Sequence, residues 1–205
     1  MKLSRLNWLA LIAPANLCAV VGLSVAAQAD AAAGAQKAEI CLTCHGPEGL
    51  ASMDNVPALG GQSDQYIQYQ LVYFRNKKRD NELMQPQAAG LGDDDIRDLG
   101  AFLHTLPAPA APDAGPLNAA LYERGKALAQ ARHCAACHGD SYTGINAAPR
   151  VAWQREPYLA LSLQNFRDAK RPSVGVAAMN EVAGGLTDDD TKALAHYLAK
   201  FAGEK

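Results

Sequence analysis

The sequence predicts an all-α protein made of two tandem copies of one small helical unit, joined by a proline-rich linker. Three observations lead there. Apolar side chains recur at spacings that include i+3 and i+4, as in Tyr66, Ile67, Tyr69, Leu71, Tyr73 and Phe74, and no stretch alternates with the period of two expected of a strand. Landmarks found between residues 41 and 95 return in the same order between residues 134 and 190. Between the copies stand Pro107, Pro109, Pro112 and Pro116, which lack amide donors and favour a stiff extended chain.

At 205 residues, 49% hydrophobic and 20% charged, the chain has the balance of a soluble globular protein. Its 19 cationic and 21 anionic side chains give a formal charge of -2, so no basic field is present and nucleic acid is excluded as a partner. Residues 1–29 combine Lys2 and Arg5, an apolar run over 6–25 and then Ala27-Gln28-Ala29, the layout of a secretory signal cleaved after Ala29. Pro14, Asn7 and Asn16 weaken the rival reading of a retained membrane span. Leu17 before Cys18 is a poor match to a lipid-attachment site. Removing the leader takes away two cations, so 17 cationic against 21 anionic side chains leave a charge of -4 on 176 residues. The expected divisions are a signal peptide at 1–29, a first unit at 30–106, the linker at 107–116 and a second unit at 117–205, with the boundary near Pro112.

Each unit opens on an alanine-rich helix, over 30–40 and 119–133, running into a cysteine motif. A second helix starts near Ser63, a good N-cap, and its counterpart begins with Pro157 at a helix-start position. The last helices follow Asp93-Asp94-Asp95 and Asp188-Asp189-Asp190 and continue as Ile96, Leu99, Phe102, Leu103 and as Leu194, Tyr197, Leu198. Carboxylates in a first helical turn are stabilised by its positive end, and Thr187 makes a sensible cap, so the triplets read as helix starts and not as metal sites.

The mature part keeps four cysteines, and in an exported protein an even count defaults to disulfides. Their spacing overrides the default. Cys41-Leu42-Thr43-Cys44-His45 and Cys134-Ala135-Ala136-Cys137-His138 are both C-x-x-C-H, the signature of covalent c-type haem attachment. On a helical turn Cys41 and Cys44, or Cys134 and Cys137, reach the two vinyl groups of one porphyrin, while His45 or His138 reaches the iron. A thioredoxin-type dithiol wants a β-α-β setting, and zinc wants a fourth ligand that neither motif specifies. Two covalently bound haem c groups are the expected cofactors. A unit of this size has a marginal core, and the haem supplies the missing apolar centre, so haem loss is expected to unfold either unit.

The repeat also offers the sixth iron ligands. Met84 follows His45 by 39 residues and Met179 follows His138 by 41, each just before the last helix; Met53 has no counterpart. A methionine is ordinarily core filler, and symmetry is what promotes Met84 and Met179 to axial ligands. His104, His133 and His196 fall outside the repeat and read as surface or helix-side residues. Pro57, 12 residues after His45, and Pro149, 11 after His138, either end a loop or offer a nearby carbonyl to the imidazole proton. Tyr66 and Tyr158, with Phe74, Phe166, Phe102 and Tyr197, read as haem-facing core. Arg75, Arg79, Arg167 and Arg171, repeated after Phe74 and Phe166, are candidates for haem propionates, with solvated surface charge as the alternative.

With these features, together with Gly61-Gln62 before Tyr66 and Asn81-Glu82-Leu83-Met84-Gln85-Pro86, the chain resembles a two-haem class I cytochrome c, and specifically the cytochrome c4 family, over essentially its whole mature length. The second copy departs in having Trp153-Gln154 for Gly61-Gln62 and three extra residues before Met179. The resemblance implies two tandem class I cytochrome c domains related by a pseudo-twofold, with haem edges approaching at the interface. It implies a periplasmic electron carrier, not an enzyme, working from a quinol-oxidising cytochrome bc complex to a haem-copper terminal oxidase, and leaves peripheral membrane association open. Closed His/Met sites fit such a role, since they exchange electrons without readily binding substrate. The alternatives are the cytochrome subunit of a dehydrogenase, such as a flavocytochrome c sulfide dehydrogenase, or a dihaem enzyme of peroxidase or thiosulfate-oxidising type. Possession of both Met84 and Met179 argues against the last.

Overall fold

Helices form where the repeat places its landmarks in the computed structural model, which describes residues 28–110, 116–173 and 179–203. The expected leader up to residue 27 and the boundary at Pro112 lie outside the described residues. Among the described residues there is no strand, only an isolated bridge between Ile145 and Ala148.

In the first copy α1 spans Ala31–His45, capped by the Asp30 carboxylate, which accepts from the amides of Ala32 and Ala33. It runs straight through the cysteine motif, past the helix end expected near residue 40. Next come a single 3-10 turn at Pro47–Gly49 and α2 at Asp64–Arg75, whose cap is the Ser63 hydroxyl accepting from Tyr66 N. A short α3, Met84–Ala89, precedes α4, Asp93–Thr105. The second copy repeats the order of α-helices, among the described residues without the 3-10 turn, and with one break. Its first helix, α5, stops at Ala131, His133 turns left-handed at φ 52°, and the motif restarts as α6, Ala135–His138. Then follow α7 at Glu156–Arg167, α8 at Met179–Ala183 and α9 at Asp188–Ala199.

The aspartate triplets cap, as expected, and they also bind the first helix of each unit to the last. Thr187 and Asp190 form a reciprocal capping box on α9, and Asp190 also meets Arg124 of α5 at 2.8 Å. The Arg124 bond, with those from Thr187, holds the Asp190 carboxyl down to about 2. In the first unit Asp95 and Asp98 both receive Lys37 of α1, at 2.9 and 2.7 Å.

These helix pairs cross at glycine. A Cβ on Gly34 of α1 would lie 2.0 Å from the Asp98 carbonyl, and one on Gly125 of α5 would lie 2.1 Å from the Ala193 carbonyl. The obstacle is backbone in both cases, so only separating the helices makes room. Gly125→Ala is expected to cost about 1–3 kcal/mol and lower Tm, as overpacking does. Gly90→Ala, where a Cβ meets nothing within 4 Å, serves as control and should be near neutral in the same thermal melts.

The two cores are unequal. Among the described residues the first unit's buried cluster is Ala38, Ile67, Leu99 and Leu103, fringed by half-buried Leu42, Leu59, Leu71 and Phe102. The second unit's cluster runs to twelve residues and holds edge-to-face pairs of Tyr197 with Tyr122, Tyr142 and Phe201, at centroid distances of 5.1, 5.9 and 5.7 Å. The end of the first unit folds back on its own middle, where Gly61 N donates to Leu106 O at 3.0 Å.

Candidate haem centres

The four motif cysteines are free thiols, Cys41 and Cys134 half-buried and Cys44 and Cys137 exposed. Burial raises the Cys41 and Cys134 thiols. His45 and His138 are buried at the ends of α1 and α6. Each donates Nδ1–H to a proline carbonyl, His45 to Pro57 at 2.9 Å and His138 to Pro149 at 2.8 Å. The carbonyl expected near each proline is thus its own. Burial lowers both imidazoles, so they stay neutral at physiological pH with Nε2 as the nitrogen left to bind a metal.

Met84 and Met179 are each the first residue of a short helix, α3 and α8, and each is half-buried. An asparagine secures each start. Asn81 accepts from Met84 N at 2.9 Å, and Asn180 donates to Phe166 O at 2.8 Å and Arg171 O at 3.0 Å. The other histidines serve elsewhere. His133 is exposed, and His104 is an exposed helix-side residue bonded to Gln62 O at 2.8 Å. His196 is helix-side, in α9, but buried and not at the surface, and its two nitrogens meet Asn118 N at 3.0 Å and Glu156 at 3.0 Å.

The four arginines divide into two kinds. Arg75 pairs with Asp93, and Arg167 with Asp168 and Asp188, so both are surface ion pairs. Arg79 and Arg171 instead sit over the rings of Phe74 and Phe166, each guanidinium carbon 4.6 Å from the ring centroid, which explains why phenylalanine and arginine repeat five residues apart. They meet where the units touch. Arg171 donates to Tyr66 OH at 2.8 Å and to Gln70 at 3.0 Å, both in the first unit, and Arg79 donates to Tyr158 OH of the second at 3.2 Å. Among the described residues no carboxylate reaches either guanidinium, and the buried Arg171 Nε has no partner. Burial works to raise the Tyr158 hydroxyl, but Arg79 and Arg171 overcome it and pull it down to about 6. Burial prevails at Tyr66, whose hydroxyl is pushed up. A buried guanidinium at Arg171 and a half-buried one at Arg79, neither paired with a carboxylate among the described residues, are a fit for the carboxylates of porphyrin propionates.

A family model described as cytochrome c matches residues 31–107 and, separately, 122–202. Over 176 residues the chain is 35% identical to a cytochrome c4 of Thiocapsa roseopersicina, covering 82% of this chain and 91% of that protein. The chain belongs to the dihaem cytochrome c4 family. It is also 32% identical over 206 residues to a thiosulfate dehydrogenase electron acceptor of Stutzerimonas stutzeri (strain A1501), covering 92% of this chain and 95% of that one. Reduced recombinant cytochrome c4 from Pseudomonas stutzeri superposes with a TM-score of 0.75 at 26% identity, over 83% of this chain and 98% of that structure. As a cytochrome c4, the protein is a dihaem electron carrier with two covalent haem c groups, one per C-x-x-C motif.

Two features of this c4 chain are not among the expectations raised by its sequence. Gln62 and Gln154 occupy equivalent places, both 92 residues apart like Pro57 and Pro149, and both are buried at the contact between the units. The identical offset was the available signal. Gly34 and Gly125 announce themselves only as glycines inside alanine-rich helices.

Proposed function

We propose that this cytochrome c4 works in the periplasm, exported through a signal peptide cleaved after Ala29, and carries electrons from a quinol-oxidising cytochrome bc complex to a haem-copper terminal oxidase. Its haem domains are residues 30–106 and 117–205, and 107–116 link them. Cys41 and Cys44, and Cys134 and Cys137, form the thioethers; His45 and Met84, and His138 and Met179, are the axial ligands. The observation that carries this reading is the matched pair of bonds from His45 to Pro57 and from His138 to Pro149, which turns Nε2 of both imidazoles to the same task. Bound haem supplies one-electron exchange at iron. The chain's own residues hold neutral imidazoles in one tautomer, set Met84 and Met179 at helix starts, and offer Arg79 and Arg171 to the propionates. Among the described residues no helix is long and apolar enough to cross a membrane.

Prereduced protein added to oxidase-containing membranes is expected to be reoxidised with oxygen uptake, and to show no peroxidase or thiosulfate turnover on its own. Failure to reoxidise, together with turnover in either solo assay, would favour a dihaem enzyme. A second reading rests on the similarity to the thiosulfate dehydrogenase electron acceptor: a dehydrogenase as donor in place of the quinol-oxidising complex. Reduction by thiosulfate only when such a dehydrogenase is added would select it.

A further inference from the structure

The two glutamines at the domain contact are wired into the histidine sites of the opposite domains. Gln154 Oε1 accepts from Ala58 N at 2.8 Å, and Gln154 Nε2 donates to Ala58 O at 2.9 Å. Reciprocally, Gln62 Oε1 accepts from Arg150 N at 3.0 Å, and Gln62 Nε2 donates to Arg150 O at 2.9 Å. Backbone donors and acceptors are fixed, so each carboxamide has a single orientation that satisfies both bonds. Both glutamines are buried, 3% and 5% exposed.

What matters is which peptide each one holds. Ala58 N–H belongs to the same amide as Pro57 C=O, the acceptor of the His45 proton; Arg150 N–H belongs to the same amide as Pro149 C=O, the acceptor of the His138 proton. A continuous series therefore runs from His45 Nδ1–H through the Pro57–Ala58 amide to Gln154, and from His138 Nδ1–H through the Pro149–Arg150 amide to Gln62. Hydrogen bonds in series polarise one another. An amide whose N–H is taken by an oxygen presents a more negative carbonyl, which draws the imidazole proton more strongly and makes Nε2 more electron-rich. The double bond from each glutamine also fixes the plane of that amide.

We propose that Gln62 and Gln154 are crossed positioning residues, each tuning the proximal histidine, and hence the reduction potential, of the haem in the other domain. The proposal rests on His45 and His138 being the proximal ligands. An electron-rich imidazole stabilises ferric iron, so removing the glutamine raises the potential of the haem across the interface. Each domain then senses whether the other is docked.

The test is a redox titration of the full-length holoprotein followed by hyperfine-shifted NMR signals assigned to each haem. Gln154→Leu is expected to raise the potential of the haem at Cys41 and Cys44 and to leave that at Cys134 and Cys137 in place; Gln62→Leu should do the converse. The expected shift is about threefold in the reduction equilibrium, on the order of 30 mV at 59 mV per tenfold for one electron. Gln154→Glu keeps a stronger acceptor against Ala58 N–H and should move the Cys41–Cys44 haem downward, and further than the other, which provides a readout even if the leucine variant does not fold. Tyr73→Phe, which removes a contact of the same interface from Tyr73 OH to Ser173 O at 3.3 Å, should leave both potentials unchanged. A shift confined to the variant's own domain, equal shifts in both haems, no shift, or the same shift from Tyr73→Phe overturns the proposal. A failure of the ligand assignment shows itself separately, because wild-type protein would then lack the signals of low-spin His/Met haem.

Discussion

In Met179→Ala protein, the long-wavelength sulfur-to-iron band should fall to the contribution of one haem, and the potential of the haem at Cys134 and Cys137 should drop. The drop is on the order of 0.1 V or more, within the roughly 0.8 V range that axial ligands set. Methionine ligation raises the potential, and water or hydroxide in its place does not. The fold around the position should tolerate the change. Asn180 anchors the start of α8 to Phe166 O and Arg171 O, and Ser173 N bonds to the Asn180 side chain at 3.1 Å, so none of these ties involves the methionine side chain. Met84→Ala should behave likewise at the other haem, since Asn81 caps α3 through the backbone amides of Leu83 and Met84. The double variant should lose the band altogether. An unchanged spectrum in Met84→Ala would remove Met84 as the ligand of the first haem.

Much of this architecture was legible in the sequence, for reasons that are local or repeated. Ser63 and Thr187 cap because a hydroxyl two or three residues ahead of an orphan amide needs no tertiary help. The cysteine motifs, the methionines and the phenylalanine–arginine pairs stand out because duplication presents each of them twice. What was not legible depends on contacts between residues distant in sequence. Whether an arginine is a surface ion pair, like Arg75 and Arg167, or a cation held at the domain contact, like Arg79 and Arg171, depends on partners 79 and 105 residues away in the other copy. The burial of His196 depends on Asn118 and Glu156, neither adjacent to it in sequence. Gln62 and Gln154 looked like a departure between the copies because their neighbours, Gly61 and Trp153, differ so much; the interface preserves the glutamine and not the pair.

The interface also bears on how the carrier passes charge between its own haems. Besides the crossed glutamines, Arg155 of the second domain reaches Ala51 O at 3.0 Å and Asp54 at 3.3 Å, and Ser63 OH donates to Asn146 O. These contacts are polar and distributed, characteristic of a contact between domains more than of a continuous core. Both domains belong to one chain, which keeps them at high effective concentration, so such a contact persists even though no single bond in it is strong.

Removing the haem attachment should affect the two domains unequally, and their cores say in which direction. Cys41→Ala/Cys44→Ala and Cys134→Ala/Cys137→Ala proteins should each retain one covalent haem, visible as the loss of one haem from the intact mass and half of the Soret absorbance. The first pair should unfold its domain. Without haem, residues 30–106 depend on the small cluster of Ala38, Ile67, Leu99 and Leu103, and a core of that size seldom sustains a domain alone. The second pair should leave a partly ordered domain, contrary to the unfolding that size alone predicts, because Tyr122, Tyr142, Tyr197 and Phe201 pack edge-to-face on one another at 4.9–5.9 Å in a large core that Cys134 touches only at its fringe. Each such ring pair adds about 0.5–1.5 kcal/mol beyond the area it buries. Amide hydrogen exchange reads the difference domain by domain: protection should collapse across α1, α2 and α4 in the first variant but persist in α5 and α9 in the second. Equal collapse of both domains would mean that the aromatic cluster forms only around bound haem.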